Sequence, residues 1–175
     1  TTTKKIIVRL AFATVLGTAG VALTQVNRPQ TAVVNAATTS VAARALGVDV
    51  ASYQNADLSS HAQAGAQFAI VKVSEGTSYR NPKASSQIST ALSNNMMPMA
   101  YHFATFSSNA SAAAAEANYA IQTAQAFGLP KGSYIACDYE TGSGNNIYGG
   151  KTPTANAIIA FMDTIKNAGY KPLLY

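Results

Sequence analysis

Residues 68–103 read FAIVKVSEGTSYRNPKASSQISTALSNNMMPMAYHF. The stretch opens on Phe68 to Val73, a short run rich in β-branched side chains that reads as a strand. Asn81-Pro82 follows as an N-cap and first helical residue. Ala84, Ile88, Ala91 and Leu92 then recur at helical spacing. Met97 to Phe103 is a second apolar run of strand length. A strand, a helix and a strand in that order form a βαβ unit, whose two strands run parallel with a right-handed crossover.

The same rhythm extends both ways. Before it, Leu46 to Val50 is a short strand. Asp57 then caps a helical pattern with Leu58, His61 and Ala62 on one face, closed by Gly65. After it, a helix runs from about Ser111 to Phe127, with Ala117, Ala120, Ile121 and Ala124 on its inner face and Gly128 as its stop. Ser133 to Tyr139 is a fourth strand, and the Gly/Ser/Asn-rich stretch from Gly142 to Gly150 a flexible loop. Thr152-Pro153 starts a helix with Ile158, Phe161, Met162 and Ile165 inward and Gly169 at its end. Lys171 to Tyr175 is a fifth strand. The order βαβαβαβαβ makes this an α/β protein. It suits either an open doubly wound sheet or part of a (β/α) barrel. No glycine-rich phosphate loop follows the first strand, which weighs against nucleotide binding.

Composition removes several functions. The chain has 175 residues, 48% of them hydrophobic and 11% charged, which is not the profile of a disordered, charge-rich tail. The formal charge of +5 is concentrated at the front, where Lys4, Lys5, Arg9 and Arg28 stand without an acidic residue among them. The remainder is close to neutral, so no nucleic-acid footprint is present. A single cysteine, Cys137, excludes an internal disulfide. His61 and His102 are the only histidines, too few for a Cys/His metal site.

Lys4, Lys5 and Arg9 precede a mostly apolar stretch from Leu10 to Leu23, and Val34-Asn35-Ala36 supplies the small residues a signal peptidase reads. We expect a signal peptide over 1–36, a lead-in over 37–45 and one domain over 46–175. The product would be secreted, with no membrane association after cleavage. The first residue is Thr1, so the N-terminus given is expected to be incomplete.

In parallel α/β folds the working residues collect at the carboxyl ends of the strands. Four of the seven acidic residues fall there: Asp49 on the first strand, Glu75 after the second, and Asp138 and Glu140 closing the fourth. Alternation gives Asp138 and Glu140 one face together with Ala136, and puts Ile135, Cys137 and Tyr139 on the other. Their Cα atoms are then roughly 6–7 Å apart. Crowded carboxylates cannot all ionise freely, so one of them holds its proton longer, which is what glycosidic cleavage uses. The residues alone leave open a Mg²⁺ or Ca²⁺ site, or carboxylates paired with Lys72 and Arg80.

The segments Gly47-Val-Asp-Val-Ala-Ser-Tyr-Gln54, Val71-Lys-Val-Ser-Glu-Gly76, Ala100-Tyr-His-Phe103 and Asp138-Tyr-Glu140, with Gly169-Tyr-Lys-Pro172 before the last strand, resemble the lysozymes of glycoside hydrolase family 25. The resemblance spans Leu46 to Tyr175. It implies a flattened, TIM-like (β/α) barrel, here a partial one with about five parallel strands and the later strands missing. It implies an N-acetylmuramidase that cuts the β-1,4 bond between N-acetylmuramic acid and N-acetylglucosamine in bacterial peptidoglycan, without cofactor or metal and as a monomer. Glu140 would be the general acid. Asp138 would be the nucleophile or the group orienting the substrate's acetamido arm, and Asp49 would complete the cluster. Glu75, Tyr53, Tyr79, Tyr101 and Tyr139 are candidates for shaping the sugar groove. His102 is expected to make a supporting hydrogen bond, and Cys137 to be a small buried apolar residue. The other reading is a catalytically inactive fragment or a wall-binding module.

Overall fold

The computed structural model describes residues 40–142 and 144–175. The signal peptide expected over 1–36 lies outside them. The elements are β1 (Gly47–Val50), α1 (Ser59–Gln63), β2 (Phe68–Glu75), β3 (Tyr79–Arg80), α2 (Ala84–Ser93), β4 (Met97–Phe103), α3 (Ala110–Ala126), β5 (Tyr134–Asp138), α4 (Lys151–Asn167) and β6 (Lys171–Leu174).

The long strands pair in parallel in the order β1-β2-β4-β5-β6. That order decides between the two architectures. A doubly wound sheet reverses direction partway, whereas here each right-handed crossover adds its strand on the same side as the last, the winding of a β/α barrel. Among the described residues β1 and β6 each have one strand neighbour.

The two faces of the sheet differ in chemistry. Val50, Val71, Ala100 and Cys137 point to the helices and join Ile88, Ile121 and Phe161 in the buried core. Phe68, Ile70, Tyr101 and Ala136 lie on the opposite face. Gly47 sits on that face because a Cβ there would strike the Phe68 ring at 2.2 Å. Ala117, Ala120, Ile121 and Ala124 are buried, as their spacing predicts. Gly128 and Gly169 leave α3 and α4 with positive φ, a turn that favours glycine.

Three local expectations change. Asp57 does receive the Ser59 N–H at 2.8 Å, but Leu58, fully buried, is the N-cap residue of α1. Asn81 is not an N-cap either. Lys83 takes that place, while buried Asn81 accepts from the Lys83 N–H and donates to the Lys72 carbonyl and to Gln87. β3 has only two residues and pairs antiparallel with the end of β2, too short to leave a periodic signal.

The loop after β5 is pinned rather than loose. Asn145, 6% exposed, donates to the Glu140 carbonyl at 2.8 Å and accepts from the Ser107 N–H at 2.8 Å. The Ser107 hydroxyl accepts from the Asn146 N–H.

Candidate active site

A break in the β2–β4 ladder positions part of the site. The register shifts between Lys72 and Ser74, so that Lys72 partners Tyr101 while Ser74 partners His102 and Glu75 partners Phe103. A β-bulge of this kind re-aims side chains. Without it, Lys72 and Glu75, three apart, would point to opposite faces. With it, both face the groove, and Lys72 Nζ meets Glu75 Oε2 at 2.6 Å. The ammonium also lies 4.9 Å from the Phe103 ring centroid and 5.4 Å from that of Tyr79.

Behind the sheet the bulge aims Ser74 inward. Its hydroxyl lies 2.8 Å from His102 Nδ1, and His102 Nε2 lies 2.9 Å from Glu116 Oε2 on α3. Thr105 donates its N–H and hydroxyl to the same carboxylate. Burial works against the Glu116 charge, yet the hydrogen bonds from His102 and Thr105 prevail and hold its pKa below the usual range. His102 has the supporting role expected of it. Cys137 is fully buried, and burial, with the charges of Asp138 and Glu116, pushes its thiol up to about 12. It is no nucleophile at neutral pH.

The three acids expected to act together are brought together. A cavity of about 210 Å³ is lined by Asp49, Ile70, Tyr101, Ala136, Asp138, Glu140, Leu173 and Tyr175, contributed by all five parallel strands or the residues just after them. Asp138 is 8% exposed and its Oδ1 has no hydrogen-bond partner, whereas Glu140 is exposed just beyond the strand end. Asp138 is the carboxyl whose pKa rises, to about 6. Burial is the largest cause; the charges of Glu140 and Asp49 add to it and that of Lys72 opposes it. Asp49 is raised by burial alone. Tyr101 is also raised, by burial first and then by Asp49 and Asp138.

A second, larger cavity of about 660 Å³ shares Asp49 and Tyr101 with the first, so the two form one groove. Glu75, Tyr53, Tyr79 and Tyr101 line it, and Tyr53 is 92% exposed. Tyr139 does not line either cavity. It lies on the helix side, its ring 5.3 Å from that of Phe106 and its hydroxyl donating to the Ser107 carbonyl at 2.7 Å. Strand alternation places it there, opposite Asp138 and Glu140.

The groove also holds residues that the sequence reading did not assign to it: Lys72, Gln54, Leu173 and Tyr175. Lys72 could have been placed from its alternation with Phe68 and Ile70. Among the described residues no group of three or more His, Cys, Asp or Glu side chains is arranged to hold a metal ion. Pairing with basic residues does not hold the acid pair either. Lys72 bonds Glu75, and Arg80 packs on the Tyr119 ring at 5.2 Å.

A one-directional β/α winding with a carboxylate cavity at its carboxyl edge defines a protein of the β/α-barrel class with clustered acids where such folds place their working residues. The profile of "Glycosyl hydrolases family 25" matches residues 48–175, and the chain belongs to that family. It is 40% identical over 131 residues to the lysozyme of Lactococcus phage mv1, covering 74% of this chain and 64% of that protein. A crystal structure of the modular Cpl-1 endolysin complexed with a peptidoglycan analogue superposes with a TM-score of 0.59 at 32% identity, over 73% of this chain and 35% of that one. The muramidase from Trichobolus zukalii gives a TM-score of 0.60 at 28% identity, over 74% and 63%. The chain thus spans less than two thirds of the length of each of these relatives.

Proposed function

We propose that this chain carries the catalytic groove of a muramidase that hydrolyses the β-1,4 bond between N-acetylmuramic acid and N-acetylglucosamine in peptidoglycan. The observation that carries the reading is the convergence of Asp49, Asp138 and Glu140 on one cavity that opens into a tyrosine-bearing groove. The lysozyme and muramidase names of its relatives support it.

Glu140, exposed at the rim, gives its proton to the glycosidic oxygen as the C–O bond breaks, and the N-acetylglucosamine side leaves as an alcohol. Asp138, as its carboxylate, either takes the anomeric carbon of the muramic sugar or orients that sugar's acetamido oxygen to do so. Water then attacks the anomeric carbon and returns its proton to Glu140. Asp49 adds negative charge where positive charge develops. Tyr53, Tyr79 and Tyr101 offer ring faces to the sugars, and Glu75 an acceptor for their hydroxyls. A module that only bound wall would leave the buried Asp138 carboxyl, its Oδ1 without a hydrogen-bond partner, without a use.

The test is mass spectrometry of digested peptidoglycan. New reducing ends on N-acetylmuramic acid support the proposal; reducing ends on N-acetylglucosamine, or cleaved peptide bonds alone, overturn it. We propose further that residues 1–36 direct export to the cell wall and that the chain acts as a monomer. Secreted material whose N-terminal sequence begins near Ala37 and which elutes as one copy supports both.

A further inference from the structure

Among the described residues Lys72 is the one basic side chain lining either cavity of the groove, and several contacts fix where its charge sits. Alternation with Phe68 and Ile70 puts it on the groove face, the bulge brings Glu75 to the same face to hold Nζ at 2.6 Å, and the Tyr79 and Phe103 rings flank it. Phe103 is also the register partner of Asp138. The ammonium therefore stands over the residue paired with the most buried acid of the site. A flexible lysine on an open groove would spread its charge over many rotamers. This one is clamped on three sides and 15% exposed, where screening by water is reduced.

Resting on the hydrolase reading above, we propose that Lys72 is a positioning residue for Asp138: its clamped ammonium is the counter-charge that lets Asp138 stand ionised beside Glu140 and Asp49 in one small cavity. The other charged and titratable groups around Asp138 are Asp49 from β1, Glu75 from β2, Tyr79 from β3, Tyr101 from β4, Tyr175 after β6, and Cys137 and Glu140 from its own strand end. Of these, Glu140 and Asp49 carry the charges that make a further negative charge harder to add. Lys72 alone opposes them, and its charge acts on Asp138 in the ionising direction.

The experiment is a carbon-13 NMR titration of the Asp138 carboxyl in the full chain, for wild type, Lys72→Met, Lys72→Arg and Glu75→Gln. An opposite charge a few ångströms away moves a carboxyl by one to three units. With part of the lysine charge taken up by Glu75, the Asp138 midpoint should rise by roughly half a unit to one unit in Lys72→Met and stay in place in Lys72→Arg. In Glu75→Gln the lysine charge is no longer offset, and the midpoint should fall. That variant carries the test if Lys72→Met does not fold. The acid limb of the pH–rate profile for wall lysis should move with each midpoint. A midpoint unchanged in both Lys72→Met and Glu75→Gln overturns the proposal. Midpoints that move as stated in a chain that releases no sugar would sink the hydrolase reading and leave the electrostatic role standing.

Discussion

His102 and Glu116 meet at 2.9 Å with no solvent around the imidazole, joining β4 to α3 directly behind the groove. The Glu116 carboxylate also accepts two bonds from Thr105, so one side chain fixes both the strand and the turn that follows it. Its pKa is lowered in the folded chain. The stability it contributes is therefore full above the ordinary glutamate value of about 4.3 and is lost as pH falls through its depressed folded value. Glu116→Gln should lower stability by about 1–3 kcal/mol at neutral pH, because partners of a charged, buried group are left imperfectly met. The gap from wild type should close in acid. Thermal midpoints of both proteins between pH 7 and the acid range check this; a constant gap would contradict it.

Asp138 behaves in the opposite sense. Its folded value of about 6 lies above that of an unfolded aspartate, about 3.9. The folded state therefore bears a cost above pH 6 that disappears below the unfolded value. Asp138→Asn should stabilise the chain at neutral pH by on the order of 1–3 kcal/mol, with no gain in strong acid, while wall lysis is lost. Wild-type activity should fall as pH drops through about 6, since the proposed mechanism uses the ionised form. Calorimetry and a lysis pH profile provide the readouts.

Glu140→Gln should cut turnover by roughly a hundredfold to ten-thousandfold, the usual worth of a positioned proton donor, and leave the melting profile unchanged. Its side chain stands exposed beyond the strand, and only its backbone carbonyl is tied to the fold, through Asn145. Substantial residual lysis in a well-folded variant would remove Glu140 from the acid role.

Gln87 holds the approach to the groove. Fully buried, it donates to the carbonyls of Ala51 and Asn55 at 2.9 and 3.1 Å and accepts from Asn81. Those two carbonyls bracket the segment that carries Ser52, Tyr53 and Gln54 into the larger cavity. Gln87→Ala should cost about 1–3 kcal/mol through the groups it orphans. It should raise KM for wall fragments more than it lowers kcat. A change in kcat alone would argue against this anchoring role.

Chelation should leave lysis untouched, because the proposed steps use only carboxyl groups and water. Loss of activity in EDTA, restored by a divalent ion, would reassign the acid cavity.

The sequence by itself determined the α/β class, the strands and long helices to within a few residues, and which side chains share a face. Those properties follow from local periodicity and end signals, which Phe68 to Val73 and the α3 alanines display plainly. Alternation put Tyr139 on the face away from the acids, where the structure finds it packed on Phe106, against its candidacy for the sugar groove. Only the tertiary structure decided what depends on register. The bulge at β2 that puts Lys72 and Glu75 side by side is a shift in pairing between distant strands, which leaves no periodic trace. The meeting of Asp49 with Asp138 is of the same kind. Along the ladder Asp49 stands in the row of Ile70 and Met99, while Asp138 stands in the row of Phe103, four residues further along β4. The two nevertheless line one cavity. Strands that twist and tilt as a sheet curls bring offset rows together, and that closure is set by the packing of the whole sheet rather than by any one segment.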